Sequence, residues 1–276
     1  RKVVPLFFRE EVGAVQVRKA IANAGLNFWK KGQSAVMVVD GFFQEKRIAI
    51  GGIGELRGNG QFVRMNALEE CGGWNEQTIT DDLDLTIRLH LNHWDIDFLA
   101  FPAVAEEGVT SPIALWHQRS RWAEGGYQRY LDYWKLILYN RMKFSKSWDL
   151  WQFLVTQYLL SVAAVPDFLM SIILRRLPIT SPLTVFTVMV SLLGMFIGLR
   201  RTRERQMSLV KEEKVMEFGS RKKYPLSLLQ TLLESILGTF YMLHWFVVMG
   251  ITIARMSVLP KRLKWVKTVH TGDGKS

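Results

Sequence analysis

The chain has 276 residues, a formal net charge of +11 and a single cysteine, Cys71, so it holds one globular domain plus a membrane part and excludes an internal disulfide or a thiolate zinc site. The charge is uneven: from Trp151 onward seventeen Lys and Arg face seven Asp and Glu, a surplus of ten, while the first 150 residues carry a surplus of one. Those cations flank apolar runs, as positive-inside bias and attraction to anionic lipid require, instead of forming the single stripe of a nucleic-acid binder, so nucleic acid is not an expected partner.

The chain opens on Arg1-Lys2-Val3-Val4-Pro5, with no initiator Met and no continuous apolar leader. The expectation is that a longer protein begins upstream. Up to about residue 110 the pattern alternates between α and β. Residues 12–17 (VGAVQV), 35–40 (AVMVVD) and 47–50 (RIAI) read as short strands, with a helix over 18–31 between the first two. Gly51-Gly52 and Gly58-Asn59-Gly60 read as turns, and residues 61–64 (QFVR) as a strand. Asn66 is placed to cap a short helix over 67–70 that stops at Gly72-Gly73. Thr80 is the expected N-cap of a helix over 81–92 with an acidic first turn. A strand over 96–103 follows, then a helix over 113–140 with an expected break at Gly125-Gly126.

Three apolar segments, 153–174, 183–199 and 232–254, are each long enough to cross or nearly cross a bilayer. Three crossings put the basic tail at Lys261–Trp265 on the side opposite the basic loop at 200–223, against the charge rule. The segment over 153–174 is therefore expected not to span, because Pro166-Asp167 lies inside it and an unpaired Asp at bilayer depth is costly. The expected divisions are 1–112, 113–150, 151–256 and a basic tail at 257–276.

Two stretches carry chemistry. Thr80-Asp81-Asp82-Leu83-Asp84 packs three carboxylates into a helix start, where free N–H groups keep a carboxylate ionised and ready to take a proton. The bland alternative is acidic decoration of a solvated helix end. Gln118-Arg119-Ser120-Arg121-Trp122 puts Gln118, Arg121 and Trp122 on one helical face. Arg suits phosphate oxygens and Trp a sugar face; the alternative is an interfacial helix with a snorkelling Arg. His90 and His93 are three apart at a helix end and are not expected to hold a metal.

Taken together, Thr80-Asp81-Asp82 and the Gln118–Trp122 pattern Q-x-x-R-W resemble the motifs of membrane-bound family 2 glycosyltransferases. These are inverting enzymes of the GT-A fold that include cellulose, hyaluronan and poly-N-acetylglucosamine synthases. Gly58–Phe62, Gly72–Asn75 and Glu106-Glu107 are similar to further segments of that family. Within it, Trp122–Tyr130 and Lys264–Thr268 most resemble the bacterial β-monoglucosyldiacylglycerol synthase subgroup.

The resemblance implies an α/β fold: the C-terminal part of a Rossmann-like GT-A domain over 1–112, then interfacial helices and transmembrane helices. It implies Asp82 as the base, with Thr80, Asp81 and Asp84 completing the acidic motif. It implies Gln118 and Arg121 on the diphosphate, Trp122 at the acceptor, and Gly58, Asn59 and Gly60 as an acceptor loop. The implied partners are a UDP-hexose, diacylglycerol or a growing glycan, and the lipid bilayer of the cell membrane, with the catalytic part cytosolic. Mg²⁺ is the implied cofactor, its D-x-D ligands expected upstream of Arg1 and none in this chain. Asp40 is a poor substitute, read as lying in a strand. Family members have Glu where this chain has Asp81, which keeps the charge on a shorter stem. A processive polysaccharide synthase is the alternative enzyme, and a non-catalytic membrane protein the alternative of another class.

Overall fold

A computed structural model describes residues 1–22, 24, 27–139, 141–211 and 227–260. Residues 261–276 of the expected tail, with its Lys264–Thr268 segment, and part of the basic loop lie outside the described residues. Strand β1 (Val12–Ala22) is buried along its first half and forms the centre of a three-stranded sheet of order β2-β1-β3. It runs antiparallel to β2 (Gln61–Val63), with Val15 opposite Phe62, and parallel to β3 (Asp95–Glu107), with Gln16 opposite Phe98. β1 and β3 both run further than expected, so residues 18–22 are strand and not the start of a helix.

The largest departure is α1 (Phe28–Ala49), a single 22-residue helix that replaces the two strands expected at 35–40 and 47–50. Asn27 caps it by accepting the Lys30 N–H at 2.9 Å. Ala35 and Val39, one helical turn apart, pack on Met195 and Leu199 of α7 (Ser181–Lys211). Gln33 and Gln44 are buried on the domain side, where Gln44 donates to the Glu55 carbonyl at 2.6 Å. β-Branched content lost to these tertiary contacts. Asp40 accordingly sits on a helix, in an ion pair with Arg57 at 3.0 Å.

Helix α2 (Met65–Glu70) starts two residues before its expected position, and Asn66 accepts from the Ala67 N–H instead of standing at the cap. Helix α3 (Asp81–Leu91) leads to β3, and α4 (Pro112–Leu138) is capped by Ser111. α4 does not break at Gly125-Gly126. The two glycines are contact points: an added Cβ at Gly125 would lie 2.0 Å from Thr80 Oγ1, and one at Gly126 would lie 1.8 Å from Tyr158 Oη.

Helix α5 (Phe144–Phe153), a π-helical stretch at Leu154–Leu159 and α6 (Leu160–Ile173) form one continuous rod. That rod, α7, and the pair α8 (Leu228–Met242) and α9 (His244–Met256) give three helices long and apolar enough to cross a membrane. Asp167, inside the first of them, is not unpaired. It accepts the backbone N–H groups of Ile179 and Thr180 and the Thr180 hydroxyl at 2.7–3.1 Å. One apolar cluster joins Ile87 and Leu91 of α3, Tyr127 and Tyr130 of α4, Leu150 of α5 and Met249 of α9. The sheet domain and the apolar helices therefore share a core.

Candidate active site

The acidic motif opens α3, where unpaired N–H groups and the helix dipole favour negative charge. Thr80 occupies the N-cap position, yet its side chain makes no capping hydrogen bond. It is buried against Gly125, which seats the first turn of α3 directly on α4. The three carboxylates then diverge. Asp81 is exposed. Asp82 is half-buried; its Oδ1 accepts the Leu83 N–H at 2.9 Å, and its Oδ2 faces Gly58, 3.6 Å from where a Cβ would stand. Asp84 is taken up by Arg88 at 2.7 Å, Tyr133 at 2.8 Å and Asn75 at 3.1 Å. Arg88 in turn donates to the carbonyls of Cys71 and Gly73. Asp84 is thus a bracket holding α3 to α4 and to the Gly72-Gly73 turn. Ile87 and Leu91 face the core as their spacing implies, while Leu83 is only half-buried.

The loop opposite Asp82 is built by glycine and held by Gln16. Gly58 and Gly60 have φ of +74° and +81°, a backbone region that side chains disfavour. Buried Gln16 accepts the Arg57 N–H at 2.7 Å and donates to the Asn59 carbonyl at 3.0 Å. Burial and the adjacent Asp81 raise the Asp82 pKa, against the Leu83 N–H, Lys19 and Arg57.

The Q-x-x-R-W turn of α4 splits its tasks. Buried Gln118 accepts from Gln33 at 3.4 Å, tying it to α1. Burial lowers the Arg121 pKa, and the carboxylates of Asp82 and Asp81 oppose that fall, which places Arg121 in their field. Trp122 is half-buried, with Lys19 Nζ 5.8 Å from its ring centroid. Arg119, on the other side of the turn, lies 4.4 Å from the Trp122 ring and 5.7 Å from that of Trp245 in α9. One turn on, buried Glu124 accepts from Arg255 of α9 at 2.8 Å.

Five charged residues that sequence reasoning did not assign to the site, Lys19, Arg47, Glu55, Arg57 and Arg129, surround these motifs. Lys19 stands between Trp122 and Glu106, 3.1 Å from the latter. Glu55, 1% exposed, is held by Arg57 at 2.8 Å, Arg129 at 3.0 Å and Arg47 at 3.7 Å. Burial alone would raise its carboxyl; Arg129, Arg57 and Arg47 win and hold it well below the usual carboxylate range. Arg57 and Arg129 had local signals, the first just before Gly58-Asn59-Gly60 and the second within the Trp122–Tyr130 segment. Among the described residues no three His, Cys, Asp or Glu side chains gather as a metal would need. His90 is buried and bound to the Gly54 carbonyl at 2.9 Å and to Lys146 at 3.2 Å.

Residues 1–199 match the family described as glycosyl transferase family group 2. The chain is 62% identical over 272 residues to proteins named beta-monoglucosyldiacylglycerol synthase from Trichormus variabilis and Nostoc sp.. It is 54% identical over 271 residues to one of that name from Synechocystis sp.. Those alignments cover 98–99% of this chain and 53–55% of each relative, so the chain spans about half the length of the curated relatives it matches.

Proposed function

This chain belongs to glycosyl transferase family group 2, and on that premise we propose that the protein moves a hexose from a UDP-sugar to diacylglycerol, inverting the anomeric carbon. The names of its relatives point to glucose as the sugar and to a β-monoglucosyl lipid as the product. Asp82 is the base. It takes the proton of the acceptor hydroxyl as that oxygen bonds to the anomeric carbon, while the bond to the diphosphate breaks and UDP leaves. A carboxyl raised by burial and by Asp81 is better matched to a hydroxyl proton than an ordinary aspartate. Arg121 and Gln118 hold the diphosphate, and Trp122 offers the acceptor a flat apolar face. Gly58, Asn59 and Gly60 let backbone approach the reacting hydroxyl.

The observation that supports this reading is the meeting of the two motifs: Asp82 Oδ2 faces the Gly58 loop, and the carboxylates of Asp82 and Asp81 act on Arg121. A divalent ion is general to the family. The described residues do not supply a full ligand set for Mg²⁺, and no step here runs through one. The same reading places the protein in the cell membrane as a multi-pass chain with the 1–112 region on the cytosolic side; it is supported by three helices long and apolar enough to cross a bilayer.

The test is transfer from labelled UDP-glucose by the full-length protein in membranes, followed by organic extraction. A labelled lipid in the organic phase supports the proposal; an insoluble glycan instead indicates a polysaccharide synthase. Asp82→Asn is expected to lower turnover by about 10²–10⁴-fold with folding intact. Unchanged transfer in that variant removes the proposed role of Asp82.

A further inference from the structure

A cavity of about 720 Å³ opens between β1, β3, α1 and the C-terminal turns of α7, with none of the proposed catalytic residues in its wall. Its charged lining is Arg18, Lys46, Arg201 and Arg205 against Glu45 and Glu204, a surplus of two positive charges. Both acids are engaged: Glu45 with Arg205 at 2.5 Å, and Glu204 with Arg200 at 2.9 Å and Arg201 at 3.8 Å. Arg18 is 4% exposed, donates to the Ala100 carbonyl at 2.8 Å, and lies 4.7 Å from the Phe101 ring; Arg205 lies 5.6 Å from the same ring. A cavity of this size suits a ligand of headgroup dimensions, and its cationic surplus selects an anion.

Position along α7 decides which anion. The apolar run of α7 ends at Leu199. At 1.5 Å per residue, Arg201 and Arg205 stand about 3 and 9 Å beyond it. That range spans the polar layer on one side of a bilayer, roughly 5–7 Å thick. α1 follows the same boundary, since Phe43 packs on Gly194, and Val39 and Phe42 pack on Gly198. We propose that this cavity binds the phosphate-bearing headgroup of an anionic membrane lipid, with Lys46, Arg201 and Arg205 as its phosphate ligands and Arg18 as the charge at its base. The proposal stands on the cavity and on its height along α7, and is independent of the transfer chemistry at Asp82.

The experiment is native mass spectrometry of the full-length protein released from detergent micelles carrying equal amounts of phosphatidylcholine and phosphatidylglycerol. The wild type is expected to retain phosphatidylglycerol in preference to phosphatidylcholine. Arg201→Gln and Lys46→Gln are each expected to weaken that retention about fivefold, and the pair roughly twentyfold. Arg201 is largely exposed, so its replacement spares the fold. Arg201→Lys, which keeps the charge, is expected to retain the lipid, and Arg176→Gln, in the turn that precedes the N-terminal end of α7, to behave as wild type. Equal retention of both lipids by the wild type, or undiminished retention by the double variant, overturns the proposal. Displacement of the lipid by millimolar glycerol phosphate overturns it too, since the site would then serve a soluble phosphate ester.

Discussion

Replacing Gly125 with Ala asks whether the contact between α3 and α4 sets the position of Asp82. The added Cβ meets Thr80 at three atoms: Oγ1 at 2.0 Å, Cγ2 at 2.3 Å and Cβ at 2.7 Å. Carbon atoms in contact settle near about 3.5 Å. Turning Thr80 about χ1 moves the first two atoms and leaves its Cβ in place. The start of α3 must therefore retreat by about 0.8 Å, and Asp82, two residues on, travels with it. Overpacking of this kind costs about 1–3 kcal/mol of stability, and displacing a reacting group by about 1 Å costs up to about 100-fold in rate. Sugar transfer by the purified full-length protein is expected to show turnover lowered about 10–100-fold, with the KM for the nucleotide sugar nearly unchanged. Adding Thr80→Gly clears all three contacts. That change is cheap, because Thr80 makes no capping bond and glycine is tolerated at the N-cap. Wild-type turnover in Gly125→Ala, or no recovery in the double variant, refutes the claim that this contact places the carboxylate.

Glu55→Gln leaves Arg129, Arg57 and Arg47 gathered around a neutral group and is expected to cost about 3–5 kcal/mol; a thermal midpoint equal to wild type would contradict this. His90 is buried with its pKa lowered to about 4 by burial and by Lys146. The unfolded chain takes up that proton near the ordinary value of 6.5 and the folded chain does not, so stability falls as pH drops from about 6.5 to about 4. The loss is roughly 3 kcal/mol, and His90→Gln should flatten denaturation midpoints across that window. Arg119→Lys loses the planar group between Trp122 and Trp245. It is expected to raise the KM for the lipid acceptor about fivefold with turnover little changed; a change in turnover alone counts against the role of that contact in placing Trp122.

The parts of the fold legible in the sequence are those governed by local rules. The β-branched run at 12–17, the turn glycines at 58 and 60, and the acidic start of α3 are each explained by neighbours in the chain. α1 was not legible because its polarity is inverted. Its buried domain face carries Gln33 and Gln44, while Phe43 on its outer face is substantially exposed, so no ordinary amphipathic period marks it. Gly125-Gly126 looked like a break because the reason for two small residues lies on other elements, at Thr80 and Tyr158. The carboxylate motif and the Q-x-x-R-W turn could be found by spacing. The Glu55 cluster could not, since its arginines come from positions 47, 57 and 129. By residue type Asp81, Asp82 and Asp84 look alike in the sequence, and only the donors around Asp84 mark it as a bracket, unlike the proposed base Asp82.

α4 is fastened to α9 at two points, through Arg119 on Trp245 and through Glu124 with Arg255. A rod pinned twice to an apolar partner can neither rise nor roll without it. On the proposed placement of α9 in lipid, the distance from the hydrocarbon surface to Arg121 and Asp82 becomes a fixed ruler. The proposed acceptor is then measured by the altitude of its hydroxyl before its chemistry is read.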